Sequence, residues 1–416
     1  MRVTRAALAH AGAALQRILR FDAPADQLLS AYFRAHRNLG QHDRALIAEA
    51  VFAVLRRKRS LEAAAGSTDP AALIAAALLR VLGFSARVLE SLVDEPLLRR
   101  IRSGAADAVD LPDWLWERLR NQYGVGEATR LAQALANPAP LDLRVNLARI
   151  EREAARERLA AEAIEAAPTP YSPAGLRVTG KPAINRHALF QEGLVEVQDE
   201  GSQLLAWVLG PRRGEMVADY CAGAGGKTLA AAMLMRGTGR VYALDVSAKR
   251  LAALAPRAAR AGITNVHTVV LGEDDNRAKR LAGKLDRVLV DAPCSGFGTL
   301  RRNPDLKWRH GPAAIEELAA KQRRILDAAA RLVKPGGRLV YATCSILQEE
   351  NDAIADEFLR SHADFRPVSC AELLAAQRIA LDTGERLRLL PHVHGTDGFY
   401  AAAFTRTMTS AVNNDH

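Results

Sequence analysis

The stretch Val217–Thr228, which reads VADYCAGAGGKT, constrains the fold more than any other part of this 416-residue chain. An apolar run ends at Asp219, a glycine-rich turn follows, and the residues from Leu229 onward predict the start of a helix. Glycines let the backbone approach a ligand closely, and a helix N-terminus points N–H groups at it. The stretch therefore predicts the strand–loop–helix opening of a nucleotide-type cofactor site.

The glycine pattern does not match either common phosphate-binding motif. A Walker A loop would need a glycine where Cys221 stands, and a dinucleotide fingerprint that begins at Gly223 has Thr228 at its third glycine position. The next predicted strand ends at Asp245, about 20 residues past the glycines, where a carboxylate binds a ribose diol. A loop that lacks a phosphate motif but keeps the ribose carboxylate favours S-adenosylmethionine.

The order of predicted elements indicates an α/β fold. From residue 199 strands and helices alternate, which predicts a doubly wound, Rossmann-like sheet. Its predicted strands are Met216–Asp219, Val241–Asp245, Val266–Leu271, Arg287–Asp291 and Arg338–Ala342, with a late edge strand at Phe399–Thr405. We predict four segments: an all-helical domain over 1–136, a small α+β subdomain over 137–198 with an RNA-facing sheet, the Rossmann-like domain over 199–407, and a flexible tail over 408–416.

Composition narrows the class of protein. The formal net charge of +10 and the pI near 9.7 suit a polyanionic partner such as RNA. No window approaches the ~18 apolar residues of a membrane span. The four cysteines show no metal-ligand spacing, so we expect reduced thiols, no metal site and no disulfide framework. We expect a cytoplasmic monomer without membrane association.

Two of the cysteines, Cys294 and Cys344, each follow a predicted buried strand, at the edge where ligands bind in open parallel sheets. A thiol beside S-adenosylmethionine suits cytosine-5 methylation. Carbon 5 of cytosine is a poor nucleophile until a thiolate adds to carbon 6, and this covalent route divides one difficult step into two. Asp291 lies where an acid could neutralise charge at ring nitrogen 3, provided that burial keeps it protonated. The base must leave its stack, which predicts a single-stranded or flipped substrate.

These motifs resemble a known family. The sequence DAPCSG at Asp291–Gly296, followed by TCS at Thr343–Ser345 and preceded by the GGKT loop, is similar to RNA cytosine-5 methyltransferases of the RsmB (Fmu/Sun) type. The helical N-terminal part resembles a NusB-type RNA-binding domain and the middle resembles that family's RRM-like subdomain. The family loop commonly reads APGGK, whereas Gly223 and Ala224 stand at the Ala-Pro positions here. Neither residue adds bulk, so we expect cofactor binding to survive.

The resemblance implies roles for individual residues. Cys344 would be the nucleophile, Cys294 would assist elimination and release, and Asp291 would contact both the cytosine and the methyl-donor region. Lys227 would orient groups near the methyl donor. The cofactor would be held by Cys221, Ala222, Gly223, Ala224, Gly225, Gly226, Lys227, Asp245, Asp274 and Asp291. Glu273 and Asp275 compete with Asp274 for the adenine, and Cys294 remains a rival nucleophile because DNA cytosine methyltransferases use the Pro-Cys thiol.

A basic loop with an aromatic residue follows the Pro-Cys motif. It predicts contacts with the RNA backbone and a stacking surface, for which the candidates are Arg301, Arg302, Lys307 and Trp308. The resemblance implies 16S ribosomal RNA as the substrate. Three alternatives remain open: the same chemistry on tRNA, a non-catalytic RNA-binding or antitermination factor, and a P-loop ATPase.

Overall fold

The structure is a computed structural model that describes residues 3–105, 108–272 and 279–408. The chain divides into two compact units. One comprises the residues up to Pro138 together with Thr299–Pro312, and the other comprises Ala139–Gly298 together with the residues from Ala313 onward. Among the described residues, no helix is both long enough and apolar enough to cross a bilayer.

The described part of the chain contains α-helices and β-strands, with short 3-10 turns between them. The helices are α1 (Arg5–Ile18), α2 (Ala25–Ala35), α3 (Gln41–Arg56), α4 (Lys58–Ala65), α5 (Pro70–Arg80), α6 (Ala86–Leu89), α7 (Glu95–Ser103), α8 (Asp113–Tyr123), α9 (Val125–Leu135), α10 (Arg152–Ala161), α11 (Ala188–Gln191), α12 (Glu200–Leu209), α13 (Gly226–Leu234), α14 (Ala248–Ala252), α15 (Leu254–Arg260), α16 (Leu306–Arg309), α17 (Pro312–Ala330), α18 (Asp352–Ser361), α19 (Cys370–Ala375) and α20 (Pro391–His394). The strands are β1 (Leu141–Val145), β2 (Ala166–Pro168), β3 (Gly175–Val178), β4 (Val195–Val197), β5 (Met216–Asp219), β6 (Arg240–Asp245), β7 (Val266–Val270), β8 (Leu285–Asp291), β9 (Val333–Thr343), β10 (Phe365–Val368), β11 (Leu387–Leu389) and β12 (Phe399–Arg406).

The first unit is helical in its described part. Helices α1, α3 and α5 contribute most of a core of leucine, isoleucine, valine and alanine side chains. Asp69 and Asp94 cap α5 and α7 by accepting hydrogen bonds from the backbone N–H groups of Ala72 and Leu97, and a proline stands in the first turn of each helix. The helical character predicted for this part of the chain is therefore present.

The second unit contains a small antiparallel sheet of order β2-β3-β1-β4. Leu143 and Val145 on β1 pack into an apolar cluster with α10. Because side chains alternate along a strand, Asp142 and Arg144 point to the opposite face. That face is also buried, with Asp142 1% and Arg144 4% exposed. We expected from the sequence that this sheet would face RNA. The burial of its polar face contradicts that expectation.

The same unit contains the predicted Rossmann-like sheet, in the order β10-β12-β9-β8-β5-β6-β7, with β11 paired to β12. Strands β7, β6, β5, β8 and β9 run parallel. The strand order reverses beside β5, where ligands bind in folds of this class. Helices α12 and α13 pack against one apolar layer of the sheet, while α17 and α18 pack against another.

Two predicted elements differ from the structure. The strand at Phe399–Arg406 was expected at an edge, but it pairs with β9 on one side and with β10 and β11 on the other. The sequence predicts a helix from Glu151 to Ala167, whereas α10 ends at Ala161, because the chain turns there into β2.

Candidate active site

A cavity of about 390 Å³ lies at the carboxyl ends of the parallel strands, within the second unit. Four segments supply its walls: the glycine loop after β5, the end of β6, and the turns after β8 and β9. Its lining comprises Tyr220, Cys221, Ala222, Gly223, Ala224, Asp245, Val246, Arg250, Leu271, Asp291, Ala292, Pro293, Cys294, Lys321, Ile325 and Cys344. The structure therefore brings both predicted cysteines and most of the predicted cofactor residues into one cavity.

The glycine loop has the backbone conformation that its sequence predicts. Gly223 and Gly225 have φ values of 55° and 85°, which side-chain-bearing residues rarely adopt. A Cβ atom on Gly225 would also lie 2.1 Å from the Leu254 side chain. Because residue 225 is glycine, the loop can pass close to α15, and α13 can begin at Gly226.

Asp245 organises the end of β6. Its side chain is 2% exposed. Oδ2 accepts a hydrogen bond from the backbone N–H of Gly223 at 2.8 Å. Oδ1 accepts from the Ser247 N–H at 2.7 Å and from the Arg250 guanidinium at 2.9 Å. The carboxylate thus holds the glycine loop against the end of the neighbouring strand.

Residues of the small sheet also hold the glycine loop in place through hydrogen bonds and an ion pair. Arg144 on β1 donates to the carbonyl oxygen of Gly226 at 2.7 Å and also to the Gln198 side chain. Burial lowers the pKa of Arg144 to about 10, so the guanidinium remains charged at neutral pH. Arg257 donates to the carbonyl oxygen of Ala224 at 2.5 Å and is paired with Glu196 on β4 at 2.9 Å. The buried polar face of the small sheet therefore supports the cofactor loop.

Asp291 in the cavity lining forms an ion pair with Lys227, which is not part of that lining, with 2.6 Å between Nζ and Oδ2. The side chains of Lys227 and Asp291 are 13% and 25% exposed. Burial alone favours the neutral amine, but the Asp291 carboxylate outweighs it and raises the pKa of Lys227. The ammonium also lies 5.7 Å from the centre of the Phe399 ring. This pair supplies a fixed positive charge and a fixed negative charge between the cofactor loop and the Pro-Cys turn.

The two predicted catalytic cysteines are neighbours. Cys294 Sγ and Cys344 Sγ are 3.3 Å apart, and both residues are partly exposed. The hydrogen bond with Cys344 and the burial of the thiol raise the pKa of Cys294 well above its ordinary value, and the charges of Glu350 and Asp291 act in the same direction. Two sulfur atoms this close do not both ionise.

The remaining cysteines differ in environment. Cys221 lines the cavity, and burial together with nearby carboxylates raises the pKa of its thiol. Cys370 is fully buried and contacts the carbonyl oxygen of Ala401 at 3.6 Å. It behaves as a small apolar side chain of the core.

One predicted RNA contact is contradicted by the structure. Lys307 is 2% exposed, and its ammonium donates to the carbonyl oxygens of Arg56 at 2.9 Å and Asp110 at 2.6 Å. Burial lowers the pKa of Lys307 to about 7. An ammonium enclosed in this way joins parts of the helical unit and cannot reach a phosphate.

The other members of the predicted RNA loop also belong to the helical unit. Trp308 donates its indole N–H to the carbonyl oxygen of Leu55 at 2.9 Å. Arg301 is 8% exposed, and its carbonyl oxygen accepts from the Arg56 guanidinium at 3.1 Å. Arg302 is partly exposed. RNA contact by Arg301, Arg302 and Trp308 stays a prediction. The acids proposed for the adenine, Glu273, Asp274 and Asp275, lie outside the described residues.

Sequence reasoning missed apolar and supporting residues of the site. Val246 is 68% exposed although it is apolar, and with Leu271 it gives the cavity an apolar wall beside Asp245. Its position directly after Asp245, the carboxylate predicted to bind the ribose, was the available signal. Lys321 and Ile325 come from α17, and only the packing of that helix against the sheet brings them to the cavity.

Comparisons with known proteins agree with this architecture. Residues 206–405 match a family model described as 16S rRNA methyltransferase RsmB/F, and residues 111–185 match a model for the ferredoxin-like domain of RsmF/B-like methyltransferases. The chain is 36% identical over 307 residues to a probable ribosomal RNA small subunit methyltransferase B from Synechocystis, covering 74% of this chain and 69% of that protein.

Solved structures show the same fold. The structure of PH0851 matches 98% of this chain and 100% of its own, with a TM-score of 0.79 and 26% identity. A structure of NSun6 from Pyrococcus horikoshii with SFG matches 71% of this chain and 98% of its own, with a TM-score of 0.63 and 23% identity. At that identity, the second likeness shows the fold alone.

Proposed function

Because the chain belongs to the RsmB/F family of S-adenosylmethionine-dependent rRNA methyltransferases, we propose that it methylates carbon 5 of a cytosine in 16S ribosomal RNA through a covalent cysteine adduct. The observation that carries this proposal is the 3.3 Å separation of Cys294 and Cys344 at the wall of the cofactor cavity. Methyl transfer to oxygen or to an exocyclic nitrogen needs no thiol. Two adjacent thiols therefore favour a target carbon that must first be activated by addition.

The residues present fit S-adenosylmethionine. When bound, the cofactor supplies an electrophilic methyl group. Oδ2 of Asp245 accepts one hydrogen bond from Gly223 among the described contacts, and a carboxylate oxygen has room for a second, such as a ribose hydroxyl. Val246 and Leu271 offer apolar surface for a purine base. The cavity volume lies in the range of small-molecule sites, about 300–1,000 Å³.

The two thiols take different parts in the proposed reaction. The thiolate is the nucleophilic form of cysteine, and the raised pKa of Cys294 keeps that thiol protonated. We assign the attack on carbon 6 to Cys344 because it stands in the Thr-Cys motif and because the Lys227 ammonium interacts with it electrostatically. The attack forms a carbon–sulfur bond and makes carbon 5 nucleophilic. After methylation, water takes the proton from carbon 5, the carbon–hydrogen electron pair re-forms the double bond between carbons 5 and 6, and the carbon–sulfur bond breaks with its electron pair returning to Cys344. Cys294, in contact with the same sulfur, assists this elimination by donating its S–H to the departing sulfur.

Lys227 and Asp291 neutralise the charge that develops on the pyrimidine. Addition at carbon 6 moves electron density toward ring nitrogen 3 and the neighbouring oxygen. A preorganised ion pair in a partly dry site stabilises such charge better than water does. In this proposal Asp291 faces the ring and relays a proton from the Lys227 ammonium to ring nitrogen 3. The proton neutralises the developing negative charge, and the carboxylate keeps its hydrogen bond with the resulting amine.

Trapping of the covalent intermediate tests the roles of the two cysteines. We expect Cys294→Ala to accumulate a covalent complex with 16S rRNA in the presence of S-adenosylmethionine, since release is impaired after attack. Cys344→Ala should form no complex and no 5-methylcytosine. Denaturing gels with labelled RNA, followed by mass spectrometry of the digested adduct, measure both outcomes.

Cys370→Ala is the matched control, because that cysteine lies in the core away from the cavity lining. It should turn over as the unchanged protein does. The reverse trapping pattern would exchange the roles of Cys294 and Cys344. If neither variant traps RNA and both still methylate it, the covalent mechanism is wrong.

A further inference from the structure

A buried carboxylate joins the two turns that carry the cysteines. Glu350 is 0% exposed and follows β9 in a 3-10 turn. Its Oε1 accepts hydrogen bonds from the backbone N–H of Ser295 at 2.8 Å and from the Gln322 amide at 3.0 Å. Its Oε2 accepts from the hydroxyl groups of Ser295, at 2.5 Å, and Ser345. One side chain therefore binds the residue that follows Cys294 and the residue that follows Cys344.

Other contacts strengthen this link. The Gln322 amide also donates to the carbonyl oxygen of Pro293 at 3.0 Å, so it reaches the residue before Cys294. The Tyr341 hydroxyl donates to the backbone carbonyl oxygen of Glu350 at 2.6 Å, which fixes the glutamate itself. The hydroxyl oxygens of Ser295 and Ser345 are 3.2 Å apart. Both oxygens of the Glu350 carboxylate are satisfied in this network, whereas Oε1 of Gln322 has no partner among the described residues. Buried networks hold one arrangement of the chain to the extent that their members are satisfied.

We propose that Glu350 is a positioning residue for the cysteine pair: its hydrogen bonds to Ser295 and Ser345 set the distance between the Cys294 and Cys344 sulfur atoms. The importance of that distance for turnover rests on the function proposed above, but the distance itself does not. Attack and release at a single carbon–sulfur bond need both sulfur atoms within reach of the same ring. A misplacement of about 1 Å in a catalytic group can cost about 100-fold in rate.

Two substitutions at Glu350 separate the effect of its hydrogen bonds from the effect of its charge. Glutamine in its place keeps one oxygen for the two N–H donors, and its amide N–H groups can donate to the two serine hydroxyls, which rotate to accept. Alanine removes all four bonds. If Glu350 acts by hydrogen bonding, Glu350→Gln should preserve the geometry that Glu350→Ala destroys.

A dithiol-specific arsenical measures this geometry without turnover. Phenylarsine oxide condenses with two neighbouring thiols to form two arsenic–sulfur bonds and releases water. We expect the unchanged protein and Glu350→Gln to bind one equivalent that protects Cys294 and Cys344 from alkylation, as mapped by peptide mass spectrometry. Glu350→Ala should be bridged at least tenfold more slowly.

Kinetics complete the test. Glu350→Ala should lose at least tenfold in kcat on 16S rRNA while the dissociation constant for S-adenosylmethionine changes less than twofold, and Glu350→Gln should recover most of the kcat. Glu200→Ala is the matched control. Glu200 is also 0% exposed and accepts hydrogen bonds from the backbone N–H groups of Tyr171 and Ser172. Its loss should leave arsenical bridging unchanged.

If Glu350→Ala does not fold, Ser345→Ala is the alternative variant, because it removes only one of the hydroxyl groups that donate to Glu350. It should slow bridging several-fold. Bridging that is unaffected by Glu350→Ala or by Ser345→Ala would overturn the proposal, as would a loss in Glu350→Gln equal to that in Glu350→Ala. If bridging responds as expected but the cysteine variants still methylate RNA, the positioning role stands and the covalent mechanism fails.

Discussion

At the scale of single residues, the buried carboxyl group of Asp219, just before the glycine loop, lowers the free energy of unfolding. It ends β5 with 3% exposure, and its Oδ2 atom accepts a hydrogen bond from the Thr228 hydroxyl at 2.7 Å, to which the Thr228 backbone N–H adds a second contact. Its Oδ1 atom has no hydrogen-bond partner among the described residues. Burial raises the pKa of Asp219 from 3.8 to about 6. The carboxyl group of Asp219 is therefore harder to ionise in the folded protein than in the unfolded chain.

The sign of the effect on stability follows from that direction. A carboxyl group whose pKa is raised by folding destabilises the folded state as pH increases past its unfolded pKa, and the penalty is complete above its folded pKa. A rise from 3.8 to about 6 costs roughly 3 kcal/mol at pH 8 and about half of that at pH 5.

Asp219→Asn should therefore stabilise the protein, by up to about 3 kcal/mol at pH 8 and by less at pH 5. The amide oxygen can still accept from Thr228. Urea unfolding at both pH values measures the difference. Asp286→Asn is a control of opposite sign: burial alone would raise the pKa of Asp286, but its salt bridge with Lys334 lowers it. That variant should be destabilised at pH 8. An equal gain for Asp219→Asn at pH 5 and pH 8 would contradict this explanation.

At the scale of elements, the small sheet acts as a support for the cofactor loop. Glu196 on β4 is 6% exposed and pairs with Arg257 and Arg260, and Arg257 holds the Ala224 carbonyl oxygen. Removal of one member of a buried ion pair costs about 3–5 kcal/mol. Because the two arginines are about a quarter exposed, we expect the loss of the Glu196 charge to lower the free energy of unfolding by about 3 kcal/mol or less.

Glu196→Gln should loosen the loop and weaken cofactor binding. We expect the KM for S-adenosylmethionine to rise about three- to tenfold while kcat at saturating cofactor changes less than twofold, since the cysteine turns are not touched. Steady-state kinetics on 16S rRNA and calorimetry with the cofactor measure both values. Glu153→Gln, in an exposed pair with Arg156 on α10, is the matched control and should change neither. A loss confined to kcat would assign Glu196 a different role.

Elements also show where sequence reasoning works. The strand that ends at Asp219 and the strand that ends at Asp245 were predictable, because long apolar runs before glycine or a carboxylate are local signals. The meeting of Cys294 and Cys344 was predictable because parallel strands end at one edge. Strands β10 and β11 were missed, since their short sequences FRPV and LRL are interrupted by arginine or proline and no glycine loop or catalytic motif follows them.

Other features depended on partners distant in the chain. Lys307 has the sequence context of an RNA contact, but its carbonyl acceptors Arg56 and Asp110 are about 200 or more residues away. Glu350 stands in the acidic run Glu349–Glu350, which is typical of an exposed turn. Its burial follows from two serine hydroxyls and one glutamine that only the fold brings together.

At the scale of the whole molecule, charge governs the encounter with the substrate. The chain carries a formal net charge of +10, and RNA is a polyanion. Binding that releases counterions weakens steeply with salt: six to ten phosphate contacts correspond to about 10³–10⁵ in affinity between 50 and 200 mM. We expect the affinity for 16S rRNA to fall at least tenfold over that interval, as measured by fluorescence anisotropy.

The same electrostatic attraction acts on tRNA, so binding at low salt cannot identify the substrate. At 50 mM KCl, unlabelled tRNA should compete with 16S rRNA for the protein. At 200 mM the non-specific part of the affinity is lost, and competition by tRNA should fall more than competition by unlabelled 16S rRNA. The S-adenosylmethionine affinity, which does not depend on phosphate contacts, should change less than twofold and serves as the control.

Methyl transfer then separates the two substrates, because the proposed reaction requires one cytosine to enter the cavity beside Cys344, and not only a bound backbone. We expect bisulfite sequencing after incubation at 200 mM KCl to show one protected cytosine in 16S rRNA and none in tRNA. Protection in tRNA at a comparable rate would show that the catalytic unit accepts any accessible cytosine of suitable structure. The 16S assignment would then fail, while the proposed chemistry at Cys344 would remain.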